Sequence, residues 1–227
     1  MEQSDSINRA PFHFRILVFF MRIFFNLLYH QMAWTYGWVA SIVSVGKWND
    51  WVLSLLPYLS GPWVLELGYG PGHLQAALAR QLASDGKIIG IDRSPQMAHI
   101  AWNRLKRLGF SPSIVNGQAQ QLPFGSETFN QVVATFPTEY ILQPEALAEI
   151  HRVLVPGGTL AVLPAAWITG KTVLERAAAW LFRITGQSPR FNPEAIQPAI
   201  RAGFDARMEW IELASSRLLL VFARKPE

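Results

Sequence analysis

The chain has 227 residues, enough for one large domain with its own core. Half of them are hydrophobic and 16% are charged, which excludes disorder as a description of the whole. There is no cysteine, so disulfides and thiolate metal sites are ruled out; no metal site is expected. The net charge is +4, and the only tight basic cluster is Arg104, Lys106 and Arg107. That cluster reads as a solvated helix face, so nucleic acid is not the expected partner.

Met1 to Ala10 is polar and reads as a frayed end. From Phe12 to Leu28, thirteen of seventeen residues are Phe, Ile, Leu, Val or Met. The polar residues Arg15, Arg22, Asn26 and His30 recur at intervals of seven, four and four, which lines them along one side of a helix. The expectation is an amphipathic helix with a very wide apolar face. A cleaved leader is disfavoured, because the first residues are not basic and no small-residue cleavage site follows. The favoured role is packing on the domain and covering a substrate; peripheral membrane contact through 12–28 is the other. The protein is expected in the cytoplasm. Met32 to Leu59 is rich in Trp and Tyr and should add one or two helices, ending before Pro57 or at Gly61-Pro62. Residues 1–60 thus read as an N-terminal helical extension, or lid, on a domain spanning 61–227.

From Trp63 the chain alternates apolar runs with helical stretches. Strands are expected at Trp63–Leu67, Lys87–Ile91, Ser113–Asn116, Phe129–Thr135 and Thr159–Leu163, with helices at Leu74–Ala83, Pro95–Leu108 and Glu145–Val153. Such a pattern implies a parallel sheet covered on both faces by right-handed crossovers. A helix over Thr172–Ile184 lies within an insertion at 165–190, placed near the carboxyl edge of the sheet. Asn192 caps a helix running to Ala202, and Arg207–Leu213 with Arg217–Arg224 form a closing hairpin.

The chemistry gathers around Val64 to Leu74, a buried strand running through Gly68, Gly70 and Gly72 into a helix. Glycines at alternate positions let a ligand approach bare amides. Twenty residues past Gly72, the second strand ends in Asp92, an acid placed to take ribose hydroxyls.

Glu66-Leu67-Gly68-x-Gly70-x-Gly72 resembles motif I of the class I S-adenosylmethionine-dependent methyltransferases. Gly90-Ile91-Asp92-x-Ser94-Pro95-x-Met97 is similar to the segment after it. Ala119 to Phe124 with Phe129 to Val133 resembles motif II, and Arg152 to Leu160 resembles motif III. Within the class, Gln121-Leu122-Pro123-Phe124 resembles the ubiquinone and menaquinone C-methyltransferases, a group that also methylates unrelated small molecules.

The resemblance implies a Rossmann-like seven-stranded, mostly parallel sheet with helices on both faces and the last strand antiparallel. It implies S-adenosyl-L-methionine as cofactor and a small, apolar acceptor. Glu66 would order the turn, and the backbone of Gly68, Tyr69, Gly70 and Gly72 would hold the amino-acid end of the cofactor. Asp92, with Arg93 beside it, would take the ribose, Met97 would border the adenine, and Gln118 with Ala119 would meet its edge. Thr135 completes the expected set. Tyr36 matches a tyrosine that borders the cofactor in such enzymes, although the acid that commonly follows it is Gly37 here. The family commonly has Asp at the positions of Gln118 and Asn130; Gln118 can still accept from an adenine amino group, and Asn is a near substitute for Asp at a turn.

On the acceptor side, Thr135, Phe136, Pro137 and Tyr140 follow the fourth strand, with Tyr140 the one weak catalytic candidate. A histidine pair found nearby in many relatives is missing. His73 and His151 read as structural. Two other functions stand beside the first: a binding protein that kept the cofactor pocket without catalysis, and a nicotinamide dehydrogenase. The GxGxG spacing and Pro156-Gly157-Gly158 argue against the latter.

Overall fold

The computed structural model describes residues 44–81, 87–185 and 192–227. The expected 12–28 helix, Tyr36 and most of the N-terminal extension lie outside them. The described chain runs α1 (Trp48–Leu53), a 3-10 turn at Leu56–Tyr58, β1 (Trp63–Leu67), α2 (His73–Gln81), β2 (Lys87–Asp92), α3 (Pro95–Arg107), β3 (Ile114–Asn116) and β4 (Phe129–Thr135). It continues through a 3-10 turn at Glu139–Leu142, α4 (Pro144–Val153), β5 (Leu154–Ile168), α5 (Val173–Thr185), a 3-10 turn at Pro193–Ile196, α6 (Gln197–Arg201), β6 (Asp205–Leu213) and β7 (Ser216–Arg224).

The seven strands form one sheet in the order β3-β2-β1-β4-β5-β7-β6. β1 to β5 pair in parallel, and β7 runs antiparallel to both β5 and β6. This is the expected Rossmann-like sheet with its antiparallel last strand.

Alternation along the strands sorts side chains into two cores. Leu65, Leu67, Val132, Ala134, Leu160 and Val162 pack on one face with Leu147 and Ile150 of α4. Val64, Val133, Ala161 and Leu163 pack on the other with Trp51 and Val52 of α1 and Leu74 and Leu78 of α2. Period-two alternation sends neighbours to opposite faces, so Glu66, between Leu65 and Leu67, occupies a core position on the α1–α2 face.

β4 fixes where β1 begins. Gln131 Oε1 accepts from the amides of Ser60 and Gly61, both at 2.8 Å, and its Nε2 donates to Tyr58 O at 2.7 Å. Asn130 Oδ1 accepts from Trp63 N at 3.2 Å, from within β4 rather than from a turn.

Three expectations are corrected. The fifth strand was read as Thr159–Leu163, but β5 covers Leu154–Ile168, because Val155 to Gly158 bulge out of the ladder instead of ending it. The strand therefore runs into the proposed 165–190 insertion, whose helical part starts only at Val173. The single helix expected from Pro193 to Ala202 is a 3-10 turn followed by the short α6, with Pro198 in the first turn of α6.

Candidate active site

The parallel strands β1, β2 and β4 end at a common edge, and loops from each meet there. The turn Gly68–Gly72 leads from β1 into α2. Gly68 N donates to Ile91 O at 2.7 Å, so the turn starts as an extension of the β1–β2 pairing. Gly72 has φ +77°, and a Cβ there would lie 3.0 Å from Ala101 Cβ: α3 packs directly onto this backbone. Gly70, at φ +50°, has nothing among the described residues within 4 Å of the place a Cβ would take. Its free space belongs to whatever occupies the cleft.

Asp92 ties the strand ends together. Its Oδ2 accepts from Gly70 N and its Oδ1 from Ser94 N, both at 2.9 Å. Ser94 in turn caps α3, its Oγ accepting from Met97 N at 3.3 Å, with Pro95 in the first turn. This places Met97, half-buried, beside the acid, whereas the Arg93 side chain is exposed. Gly117 N and Asn116 Nδ2 both donate to Asp92 O at 3.1 Å, which draws the loop of Gln118 and Ala119 to the same edge. Gln118 is exposed and Ala119 buried. Further along that loop, Glu149 Oε2 accepts from Leu122 N at 2.7 Å, and Arg152 donates to Leu122 O and Phe124 O, so α4 anchors it.

Arg104 was read as part of a solvated face. Lys106 and Arg107 are exposed as expected, but the half-buried Arg104 donates from Nε to Pro71 O at 2.8 Å. It braces the glycine turn from α3.

Beneath the turn lies a buried polar cluster. Glu66, Tyr69 and Gln75 are 1%, 3% and 1% exposed, and Glu66 Oε2, Tyr69 Oη and Gln75 Nε2 have no hydrogen-bond partner among the described residues. Tyr69 and Gln75 press on Gly90, where a Cβ would meet them at 2.6 and 2.9 Å. The Tyr69 ring thus packs into the sheet, and what it offers a ligand is backbone. Burial pushes the Glu66 carboxyl up to about 8, and the Asp92 charge adds to this; the Gln75 amide pulls the other way without completing a bond to Oε2. Burial, then the charges of Asp92 and Glu66, push the Tyr69 phenol up to about 12.

At the end of β4, Thr135 is half-buried and Phe136 adopts φ +46°, an uncommon conformation for a side-chain-bearing residue. Its ring stacks on Trp48 at 4.4 Å and tilts against Trp51 at 6.1 Å. Tyr140 crosses to the glycine turn: its Oη lies 3.4 Å from Leu67 O, and a Cβ on Gly68 would come within 3.1 Å of it. Burial, with the nearby Asp92 and Glu66 charges, raises the Tyr140 phenol far above its ordinary value, so it acts as a neutral donor and not as a base.

The two histidines keep to structural positions. His73 opens α2, and burial, with Arg104 beside it, pushes its ring down to about 4. His151 lies edge-on to Phe204 at 5.0 Å. Among the described residues, no three His, Asp or Glu side chains gather to hold a metal. Gln75 and the Trp48–Phe136 pairing are not singled out in the sequence, and Arg104 stands out there only as part of a basic cluster.

Residues 64–158 match the family model described as a methyltransferase domain. The chain is 31% identical over 144 residues to the demethylmenaquinone methyltransferase of Symbiobacterium thermophilum, covering 61% of this chain and 57% of that protein. It is 31% identical over 142 residues to the ubiquinone/menaquinone biosynthesis C-methyltransferase UbiE of Legionella pneumophila (strain Corby), covering 60% and 57%. The chain thus spans a little over half the length of these curated relatives. Among solved structures, it is similar to a SAM-dependent methyltransferase from Aquifex aeolicus, with a TM-score of 0.55, 19% identity and coverage of 78% and 88%. It is also similar to phosphoethanolamine N-methyltransferase 2 of Haemonchus contortus in complex with S-adenosyl-L-methionine, with a TM-score of 0.60, 18% identity and coverage of 89% and 60%. At such identities the structures speak for the fold.

Proposed function

We propose that this chain, which carries a methyltransferase domain over residues 64–158 on the sheet of the class I methyltransferases, transfers a methyl group from S-adenosyl-L-methionine to a small, apolar acceptor. The observation that carries this is the junction of Gly70 and Asp92: an open, bare-backbone turn held by the acid at the end of the neighbouring strand.

The residues fit the cofactor. Gly70 would leave room for its amino-acid end, Asp92 would take the ribose, and Met97 with the Gln118–Ala119 loop would border the adenine. When bound, the group would supply a methyl on a positively charged sulfur; the acceptor's nucleophile would bond to that carbon in one step as the carbon–sulfur bond breaks and the sulfur leaves as a neutral thioether. Positioning and water exclusion are then the protein's main tasks. Tyr140 and Phe136 close the side of the turn that faces the acceptor, with Tyr140 donating a hydrogen bond there. The acceptor's proton leaves to solvent.

The relatives named for quinone methylation support an apolar acceptor of this kind. We place the protein in the cytoplasm, with residues 12–28 roofing the acceptor and touching a membrane peripherally. Among the described residues no helix is long and apolar enough to cross a membrane.

Titration of the purified protein with S-adenosylmethionine and with NADH tests the reading; saturable binding of the first alone is expected. A screen of acceptors for turnover then separates an enzyme from a binding protein. Binding of NADH in preference would overturn it.

A further inference from the structure

Helix α5 starts with a reciprocal pair of bonds. Thr172 Oγ1 accepts from Glu175 N at 3.2 Å, while Glu175 Oε2 accepts from Thr172 N at 3.0 Å and from the Thr172 hydroxyl at 2.7 Å. The other carboxylate oxygen of Glu175 meets Lys47 Nζ at 3.0 Å, just ahead of α1. Glu175 is thereby fixed inward, 8% exposed, and a Cβ on Gly170 would collide with its carboxyl. Hydrogen bonds from Thr172 and then Lys47 hold that carboxyl down to about 2, outweighing what desolvation the packing imposes.

Turning Glu175 inward turns its neighbours outward. Val173 is 85% exposed and Leu174 65%, and Trp180, two turns beyond Val173 on the same side, is 46% exposed. Lys171 and Arg176 are exposed beside them. Glu175 is the only acid between residues 169 and 180, and it faces the protein. Among the described residues, the outer face of α5 up to Trp180 therefore shows apolar side chains, a tryptophan and cations, with no anion among them.

We propose that this face docks on an anionic phospholipid surface. Val173 and Leu174 would enter the headgroup–acyl boundary, Trp180 would lie at its level, and Lys171 with Arg176 would meet lipid phosphates. Apolar side chains fixed outward and ringed by one sign of charge suit that surface better than water. The location suits it too, because β5 delivers α5 at the same sheet edge as Gly70 and Thr135. Resting on the proposed methyl transfer, the contact would place the cleft against the phase in which an apolar acceptor dissolves. This contact uses residues separate from 12–28.

The test is flotation of the full-length protein with phosphatidylcholine vesicles, with and without phosphatidylglycerol. The parent should float with the anionic vesicles. Val173→Ser/Leu174→Ser should partition about tenfold less, and Lys171→Glu/Arg176→Glu should lose the preference for phosphatidylglycerol by about thirtyfold or more, as expected for roughly 1 kcal/mol per basic residue over two residues. S-adenosylmethionine affinity without vesicles should match the parent in both variants. A parent that does not float, or a serine variant that floats as well as the parent, overturns the proposal. So does a serine variant that loses self-association in sedimentation instead, since the face would then be a protein interface. Loss of S-adenosylmethionine binding in every protein, parent included, would overturn the methyl-transfer reading and leave the vesicle result standing.

Discussion

The Gly70 amide donates to the Asp92 carboxylate at 2.9 Å, across the gap between β1 and β2. A carboxylate has about four acceptor positions, so the bonds to Gly70 and Ser94 leave roughly two for a ligand. Asp92 thus shapes the turn and faces the cleft at once. Asp92→Ala should weaken S-adenosylmethionine binding about a hundredfold, from two charge-assisted bonds. It should also lower the melting temperature, because two amides lose their acceptor. Unchanged affinity by calorimetry would mean that the cofactor binds elsewhere.

Gly70→Val separates folding from binding. Its Cβ meets no atom of the described residues, and the left-handed backbone costs a branched residue roughly 1–2 kcal/mol. The protein should fold and bind no cofactor. A folded valine variant with normal affinity contradicts this placement of the turn.

Arg104→Met removes the bond to Pro71 O while keeping an unbranched apolar stem. A charged donor to a carbonyl is worth about 1.5–3 kcal/mol, so affinity should fall at least about tenfold as the turn loosens. Circular dichroism should show the fold intact. Equal affinity would return Arg104 to the solvated face.

Glu66 gives a pH signature. Its carboxyl is raised from 4.5 to about 8, so between those values the folded protein keeps a proton that the unfolded chain has released. Its contribution therefore falls as pH rises, and the loss is complete only above about 8. His73, lowered from 6.5 to about 4, is neutral in both states above pH 7 and adds no slope there. Ligand-free protein should lose stability from pH 7 to 9, by on the order of a few kcal/mol at most. Glu66→Gln should flatten that range; denaturant midpoints that stay pH-dependent in the variant would rule out Glu66 as the source.

Deleting residues 1–28 should leave cofactor affinity nearly intact, because the Gly70–Asp92 junction remains, while turnover of an apolar acceptor falls. Joint loss of binding and solubility would make that segment core scaffold.

Legibility in the sequence followed how local each cause was. β1 and β4 keep their expected bounds because each carries a short buried apolar stretch, Val64-Leu65 with Leu67 in β1 and Val132 to Ala134 in β4, and Ser94-Pro95 marks the start of α3. The spacing from the glycine turn to Asp92 puts an acid at the same sheet edge, since one crossover sets it, but that the acid accepts from Gly70 N shows only in the structure. β5 was cut short because Pro156-Gly157-Gly158 normally ends an element; only pairing with β4 and β7 shows that the strand continues past the bulge. Arg104 on Pro71 and Lys47 on Glu175 join residues far apart in the chain, and nothing in either neighbourhood announces the partner.

The strand order also bears on synthesis. β7 follows β6 in the chain yet lies between β6 and β5, so β6 has no neighbour in the sheet until β7 is made. Meanwhile β5, paired with β4 on one side, presents its other side as an open edge while residues 169–215 emerge from the ribosome. Unpaired edges of that kind recruit other chains. A ribosome pause within this interval should therefore favour aggregation, and a nascent-chain chaperone acting there would guard one specific edge.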